Sequence, residues 1–221
     1  MYTPPPFRTD RAACLAFAAA RGFGLACASD GRRPIASPLP FCLDYAADGT
    51  PELSFHVARG NPLIARADGR TPWLMAVMGA DAYVSADWYA SPDQVPTWLY
   101  QAVHLSGPVS VMSAPMLSRH LDDLSARFEA MLAPKPPWTT AKMTLGRLRA
   151  MQNAIVGLAM TVETVEGSFK LNQYRSDADH VAVALQLRRQ PAGASRHIAE
   201  QMIALRPQLD YNTCAASSPA E

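Results

Sequence analysis

Two Asp-Gly steps, Asp30-Gly31 and Asp48-Gly49, limit the fold more than any other feature of this chain. Asp-Gly supplies the positive-φ positions that tight hairpin turns require, so each step predicts a chain reversal and antiparallel pairing. The short apolar run Gly24–Ser29 precedes the first turn, and Pro34–Leu43 lies between the two. After the second, Leu53, Phe55 and Val57 alternate with Ser54, His56 and Ala58, the period of a half-buried strand. Pro34, Pro38 and Pro40 confine the middle segment to an edge or to an irregular, bulged course, because proline donates nothing to a ladder. Ahead of this meander, Thr9-Asp10 offers an N-cap. Cys14, Leu15, Ala18 and Ala19 then keep helical spacing as far as Gly22.

Further along, Pro72–Met78 predicts an apolar strand, and Gly79 leads to a second one over Ala82–Ala86. Val103, Leu105, Val109 and Val111 predict another, bent at Gly107-Pro108. Ser113 caps a helix whose Leu117, Leu121, Leu124 and Phe128 share one face. Pro134–Pro137 ends it, and Leu145, Leu148 and Met151 suggest a short helix. Ile155–Val165 reads as one long strand, turned at Glu166-Gly167 into Phe169–Gln173. Two helices follow from Asp177, split by Pro191–Gly193, and the second runs from Ser195 to Leu205. The expected fold is mainly β with α (α+β), a six- to seven-stranded antiparallel closed or split β-barrel with peripheral and C-terminal helices. The expected division is a barrel domain over 1–175, helices over 176–206 packing on the barrel or on a partner subunit, and a flexible tail over 207–221.

With 49% hydrophobic residues the chain can bury a sizeable core without disulfides or metal. Twenty basic against 19 acidic residues, net +1, give no clustered basic face for nucleic acid. Cys14, Cys27, Cys42 and Cys214 are far apart and form no metal-binding spacing. The start of the chain lacks the basic and apolar regions of a secretory signal, and no apolar run is long enough to span a bilayer. A cytoplasmic protein is therefore expected. No GxGxxG, Walker loop, HExxH or GxSxG is present, so no catalytic residues are assigned and a nucleophilic hydrolase is disfavoured. His120 and His197 are expected on solvated helix surfaces, whereas His56 and His104 could serve structure or ligand equally.

Two segments could bind something. In Arg59-Gly60-Asn61-Pro62 a strand ends, Asn61 suits an N-cap and Pro62 suits the first helical position. Free N–H groups at the helix start, with an arginine beside them, would attract an anion such as phosphate; a plain strand–helix junction is the other reading. The second segment is Tyr83–His104, which holds Tyr83, Trp88, Tyr89, Trp98 and Tyr100 although aromatics are only 8% of the chain. With Ser85 and Thr97 between them, these rings are either a core corner or a platform for a planar ligand.

Several motifs then coincide: MYTPPPF at the start, FHVARGNP at 55–62, AYVSADWY at 82–89, VPTWLYQAVH at 95–104, AIVGL at 154–158 and EGSFKLNQYR at 166–175. Together they resemble the PaiB-like, FMN-binding negative transcriptional regulator family, and they cover residues 1 to about 190 in order. The resemblance implies the FMN-binding split-barrel fold and a homodimer with FMN at its interface. It implies phosphate contacts from Ser37, Arg59 and Asn61 and a contact from His56. Tyr83, Ser85, Trp88 and Tyr89 would border the isoalloxazine ring. Thr97, Trp98 and Tyr100 would line the same cavity, with Lys170 and Gln173 closing it. The family name also implies gene regulation, and with it DNA as a partner that the charge does not support. The alternatives are a flavin- or haem-handling oxidoreductase and a divergent member that no longer binds FMN. Leu99 stands where the family usually has Asn, Ala80-Asp81 where it has Pro-His, and Ser37-Pro38 where it has Thr-His.

Overall fold

A computed structural model of the chain describes residues 1–212. The first helix, α1 (Arg11–Arg21), buries Cys14, Leu15 and Ala18, and Gly22 ends it at φ 56°. The strands β1 (Phe23–Ser29), β2 (Pro34–Tyr45) and β3 (Pro51–Ala58) follow as the Asp-Gly steps predict. Gly31 and Gly49 take φ values of 90° and 83°, a region that L side chains avoid. The first loop is wider than a two-residue turn, because Ser29 pairs with Pro34 and Asp30 Oδ1 accepts from the N–H groups of Arg32 and Arg33.

The three prolines of β2 sit where the ladder tolerates them. Residues 34–40 pair with β1, and residues 41–45 pair with β3. Each half of β2 therefore has one strand partner among the described residues, and the prolines Pro34, Pro38 and Pro40 all fall in the first half. The strand is thus an edge locally, although it lies between two neighbours in the sheet.

The remaining strands are β4 (Asp68–Val84), β5 (Thr97–Val111), β6 (Ile155–Thr161) and β7 (Thr164–Lys170). The order is β4-β1-β2-β3-β6-β5-β7, and β4 also pairs with β5, so six strands bond around a ring. This is the split barrel expected. Strand boundaries differ from expectation at several points, and Glu166-Gly167, expected as a turn, lies inside β7. β4 runs straight through Gly79, where local propensity predicts a break. β5 starts at Thr97 rather than Val103, so Trp98 and Tyr100 are strand residues. The strand expected over 155–165 is two, interrupted at Val162-Glu163, where the N–H of Val162 turns to Pro51 O and that of Glu163 to Ser106 O. Opposite this point, a Cβ on Gly107 would lie 1.8 Å from the carbonyl oxygen of Thr161, so only glycine fits the strand approach.

Four more helices follow α1 in the described residues: α2 (Ala114–Ala130), capped by Ser113, α3 (Leu145–Asn153), and the pair α4 (Asp177–Arg189) and α5 (Gly193–Leu205). The chain forms two compact units. The larger comprises Arg11–Val77 and Val103–Glu166, and the smaller Met1–Asp10, Met78–Ala102 and Gly167 onward. In the larger unit Phe41, Leu53, Phe55, Met75, Val77, Leu105 and Leu158 are fully buried, and the Phe55 and Trp73 rings lie 6.2 Å apart. In the smaller unit α4 and α5 bury Val183, Leu187, Ile198 and Met202 against Val84, Leu99 and Leu171. Leu99, one of the departures from the family pattern, is wholly inside this core. Tyr211 joins it, with its hydroxyl donating to Arg206 O; of the tail expected to be flexible, residues 213–221 lie outside the described residues.

Candidate functional site

In the larger unit, Ser37, His56, Arg59 and Asn61 sit at the end of β3 and on β2. Asn61 is the cap of a short 3-10 turn, Pro62–Arg66. Its Oδ1 accepts from the Leu63 N–H at 3.0 Å, and its Nδ2 donates to Ser37 Oγ at 2.8 Å. The expected free N–H groups at this turn are already used. Pro62 has none, Leu63 gives its own to the Asn61 side chain, and Ile64 gives its own to Asn61 O. What the corner offers an anion is instead a pair of side-chain donors, the Ser37 hydroxyl hydrogen and the second Asn61 amide hydrogen, both half-buried.

Arg59 is committed mainly to the fold. Its Nε donates to Asn153 O at 2.6 Å, its Nη2 to Ile155 O at 3.1 Å, and its backbone N–H to Ala154 O. A guanidinium at the carbonyl end of α3 also complements the helix dipole. Two of its five N–H donors are thereby used, and Arg59 becomes a clamp between α3 and β6.

His56 meets a residue that was expected elsewhere. His120 is not on a solvated helix surface; it is 3% exposed, and its Nε2 lies 3.1 Å from His56 Nδ1. Its Nδ1 is 3.0 Å from Ser54 Oγ. Burial lowers the His56 pKa, and burial together with the neighbouring His56 ring lowers that of His120 to about 4. Both rings are therefore neutral near pH 7, one donating to the other. The signal was present in the sequence: position 120 is three residues after Leu117 and four before Leu124, on the apolar face of α2. His104, half-buried on β5, is likewise held neutral by burial.

In the smaller unit the aromatic residues separate into two groups. Tyr83 and Trp98 are about half exposed and meet edge to face, with ring centroids 5.9 Å apart. Beside Trp98 in sequence, Thr97 Oγ1 takes a 2.5 Å hydrogen bond from Lys170 Nζ, which also lies 5.7 Å from the centre of the Phe7 ring. Tyr100 is half-buried on the same strand. This group can present ring faces to a ligand.

The second group is structural. Tyr89 is 8% exposed within the core, under the Arg175 guanidinium at 4.8 Å, and burial raises its pKa. Trp88 packs against that core. Ser85 Oγ caps the turn Ala86–Trp88 by accepting from Asp87 N. Gln173 closes the bend after β7, accepting from Leu171 N and donating to Phe169 O and Pro6 O. Next to it Asn172 is fully buried at φ 60°.

Sequence reasoning missed a polar chain in this unit. Asp179 accepts from the backbone and hydroxyl of Ser91 at 2.9 Å, Gln94 donates to Ser91 Oγ, and Arg175 Nη1 donates to Gln94 Oε1 at 2.8 Å. Burial alone would raise the Asp179 pKa, but the hydrogen bonds from Ser91 and Ser176 outweigh it and hold the carboxyl below its ordinary value. No local pattern announces this arrangement, since it joins Ser91 and Gln94 to Asp179 and Arg175, 88 and 81 positions away.

The ring of antiparallel strands defines the class of protein, a split β-barrel. Comparison with known proteins makes this particular: the chain belongs to the family described as "Putative FMN-binding domain", which matches residues 1–164. It is 30% identical over 203 residues to "Protease synthase and sporulation protein PAI 2" of Bacillus subtilis, covering 91% of this chain and 96% of the relative. Among solved structures, the FAD and haem binding protein of Mycobacterium smegmatis is similar at a TM-score of 0.52, with 19% identity over 73% of this chain and 72% of that one. A conserved hypothetical protein of Mycobacterium tuberculosis matches at 0.51, with 14% identity over 77% and 91% of the two chains. These structural likenesses concern the fold.

Proposed function

We propose that the chain acts as a homodimer that takes up FMN, with the phosphate received by Ser37 and Asn61. The observation that carries this is the Asn61 side chain. One end caps the turn at 62–66 while the other fixes the Ser37 hydroxyl, which leaves two donors oriented without further ordering. Hydrogen bonds from such donors to a charged oxygen are stronger than neutral ones, about 1.5–3 kcal/mol each. In the smaller unit, Tyr83 and Trp98 offer the faces on which a flavin ring stacks, with Thr97, Tyr100 and Lys170 as polar neighbours. Bound FMN supplies reversible electron transfer; the residues bind and orient it. The regulatory role implied by the family name would then follow flavin occupancy or redox state rather than a basic DNA face. A cytoplasmic setting belongs to the same reading.

The test is a titration of the purified protein with FMN, followed by flavin fluorescence. Uptake at micromolar concentration is expected, with Ser37→Ala weakening it about tenfold or more by loss of one charge-assisted hydrogen bond. Trp98→Ala separately tests the platform and should weaken binding while leaving the Ser37 effect intact. Failure to bind at micromolar FMN would overturn the proposal. Wild-type affinity in both Ser37→Ala and Asn61→Ala would overturn the phosphate assignment alone.

A further inference from the structure

A cleft that shares no residue with the flavin reading lies wholly within the larger unit. One wall is the C-terminal half of α2, where Asp122, Ser125, Ala126, Glu129 and Ala130 fall on one face. A helix face turned to solvent ordinarily carries long polar side chains. Here Ser125, Ala126 and Ala130 keep it low. The loop after α2 supplies the other wall through Pro137 and the half-buried Trp138. The space between them is about 520 Å³, within the roughly 300–1,000 Å³ of small-molecule sites.

Polar bonds join loop to helix at both ends of the cleft. Glu129 accepts from Lys135 Nζ and, at 2.8 Å, from Trp138 N. Two turns earlier, Asp122 Oδ1 accepts from Thr140 Oγ1 at 3.2 Å. The loop therefore runs back antiparallel to the helix, and its course past Trp138 is fixed before any ligand arrives, which lowers the ordering cost of binding. A cleft bridged at each end suits a short molecule rather than a peptide running through it. Asp122 and Glu129 are seven residues apart, about 10 Å along the helix axis, room for one ring and a short chain.

The two ends differ in charge. Glu129 and Lys135 neutralise each other. Asp122 has a hydroxyl as its partner and no cation among the described residues. An anion would be repelled there, and a neutral molecule would leave the carboxylate unanswered. An apolar cleft with an indole face and one uncompensated carboxylate selects a cation with an apolar body. We infer that this cleft binds a small arylalkylamine, with the ammonium on Asp122 and the ring against Trp138.

Fluorine NMR of the full chain with para-fluorophenethylamine, up to about 1 mM, tests it. The amine resonance should shift and broaden saturably, whereas para-fluorophenylacetate, the same ring with the opposite charge, should not respond. Asp122→Asn keeps an acceptor for Thr140 and should weaken amine binding about tenfold or more, by loss of a charge-assisted contact. Ala126→Leu should abolish binding by filling the cleft. Both positions are exposed on α2, so both variants should fold, as circular dichroism melting would show. No saturable response to the amine, an equal response to the acid, or wild-type affinity in either variant would overturn the inference. So would dissociation of a wild-type dimer by Ala126→Leu in sedimentation equilibrium, which would give the cleft to a second copy. Failure to bind the amine leaves the flavin reading untouched, and failure to bind FMN leaves this one.

Discussion

Arg59 shows how differently a side chain can be used from what its neighbours in sequence suggest. Beside Asn61 and Pro62 it looks like an anion ligand, but its partners are carbonyls 94 and 96 residues away, and nothing local reveals them. Arg59→Lys keeps the charge and loses the planar fork, so thermal denaturation should show a loss of about 1–2 kcal/mol. The same substitution should change FMN affinity less than Ser37→Ala does, as a parallel titration would reveal. Gly107 is stricter. Alanine there would place its Cβ 1.8 Å from Thr161 O, a backbone atom that cannot step aside, and Gly107→Ala should cost about 3 kcal/mol or more in chemical denaturation or fail to fold. Asn61 was legible as a cap, and Ser37 entered only through the family resemblance. That the cap would consume the helix N–H groups follows only from the geometry.

At the level of elements, hairpin punctuation carried most of the information. Asp-Gly steps and period-two alternation report local backbone demands, and β1 to β3 follow them. Gly79 and Val162-Glu163 report the opposite case: a glycine inside a continuous strand, and an interruption with no turn residue, placed opposite Pro51 where β3 begins. The α2 helix is well marked by Ser113 and its apolar stripe, and reading that stripe at i, i+3 as well as i, i+4 brings His120 inside. α4 depends on its start, where Ser176 Oγ accepts from Asp179 N and Asp179 in turn holds Ser91. Asp179→Asn keeps the shape but removes the charge that Ser91 and Gln94 organise around. It should destabilise the protein by about 1–3 kcal/mol in urea melts, and Ser91→Ala in that background should add little.

For the whole molecule, the histidine pair makes stability depend on pH. Both rings have lowered pKa values when folded, so between the ordinary value near 6.5 and about 4 the unfolded chain binds more protons than the folded one. Stability should therefore be full above about 6.5 and decline as the pH falls toward 4. His120→Gln should flatten that slope, as melting temperatures across the range would record. No helix among the described residues is long and apolar enough to cross a membrane. The overall barrel and the family were legible because strand alternation and motif order survive divergence. The division of the aromatic stretch into an exposed pair and a buried pair was not, since ring density says nothing about which face looks inward.

The middle strand of the meander changes partner half-way along, and its three prolines sit on the half that pairs with β1 and has no strand on its other side among the described residues. A flank without a strand is where a stray segment from another molecule would otherwise dock and begin a fibre. Proline there withholds the amide such a visitor needs. Exchanging Pro38 and Pro40 for threonine should leave the monomer's fold intact while shortening the lag before aggregation on prolonged warming, so these rings protect the protein's shelf life more than its shape.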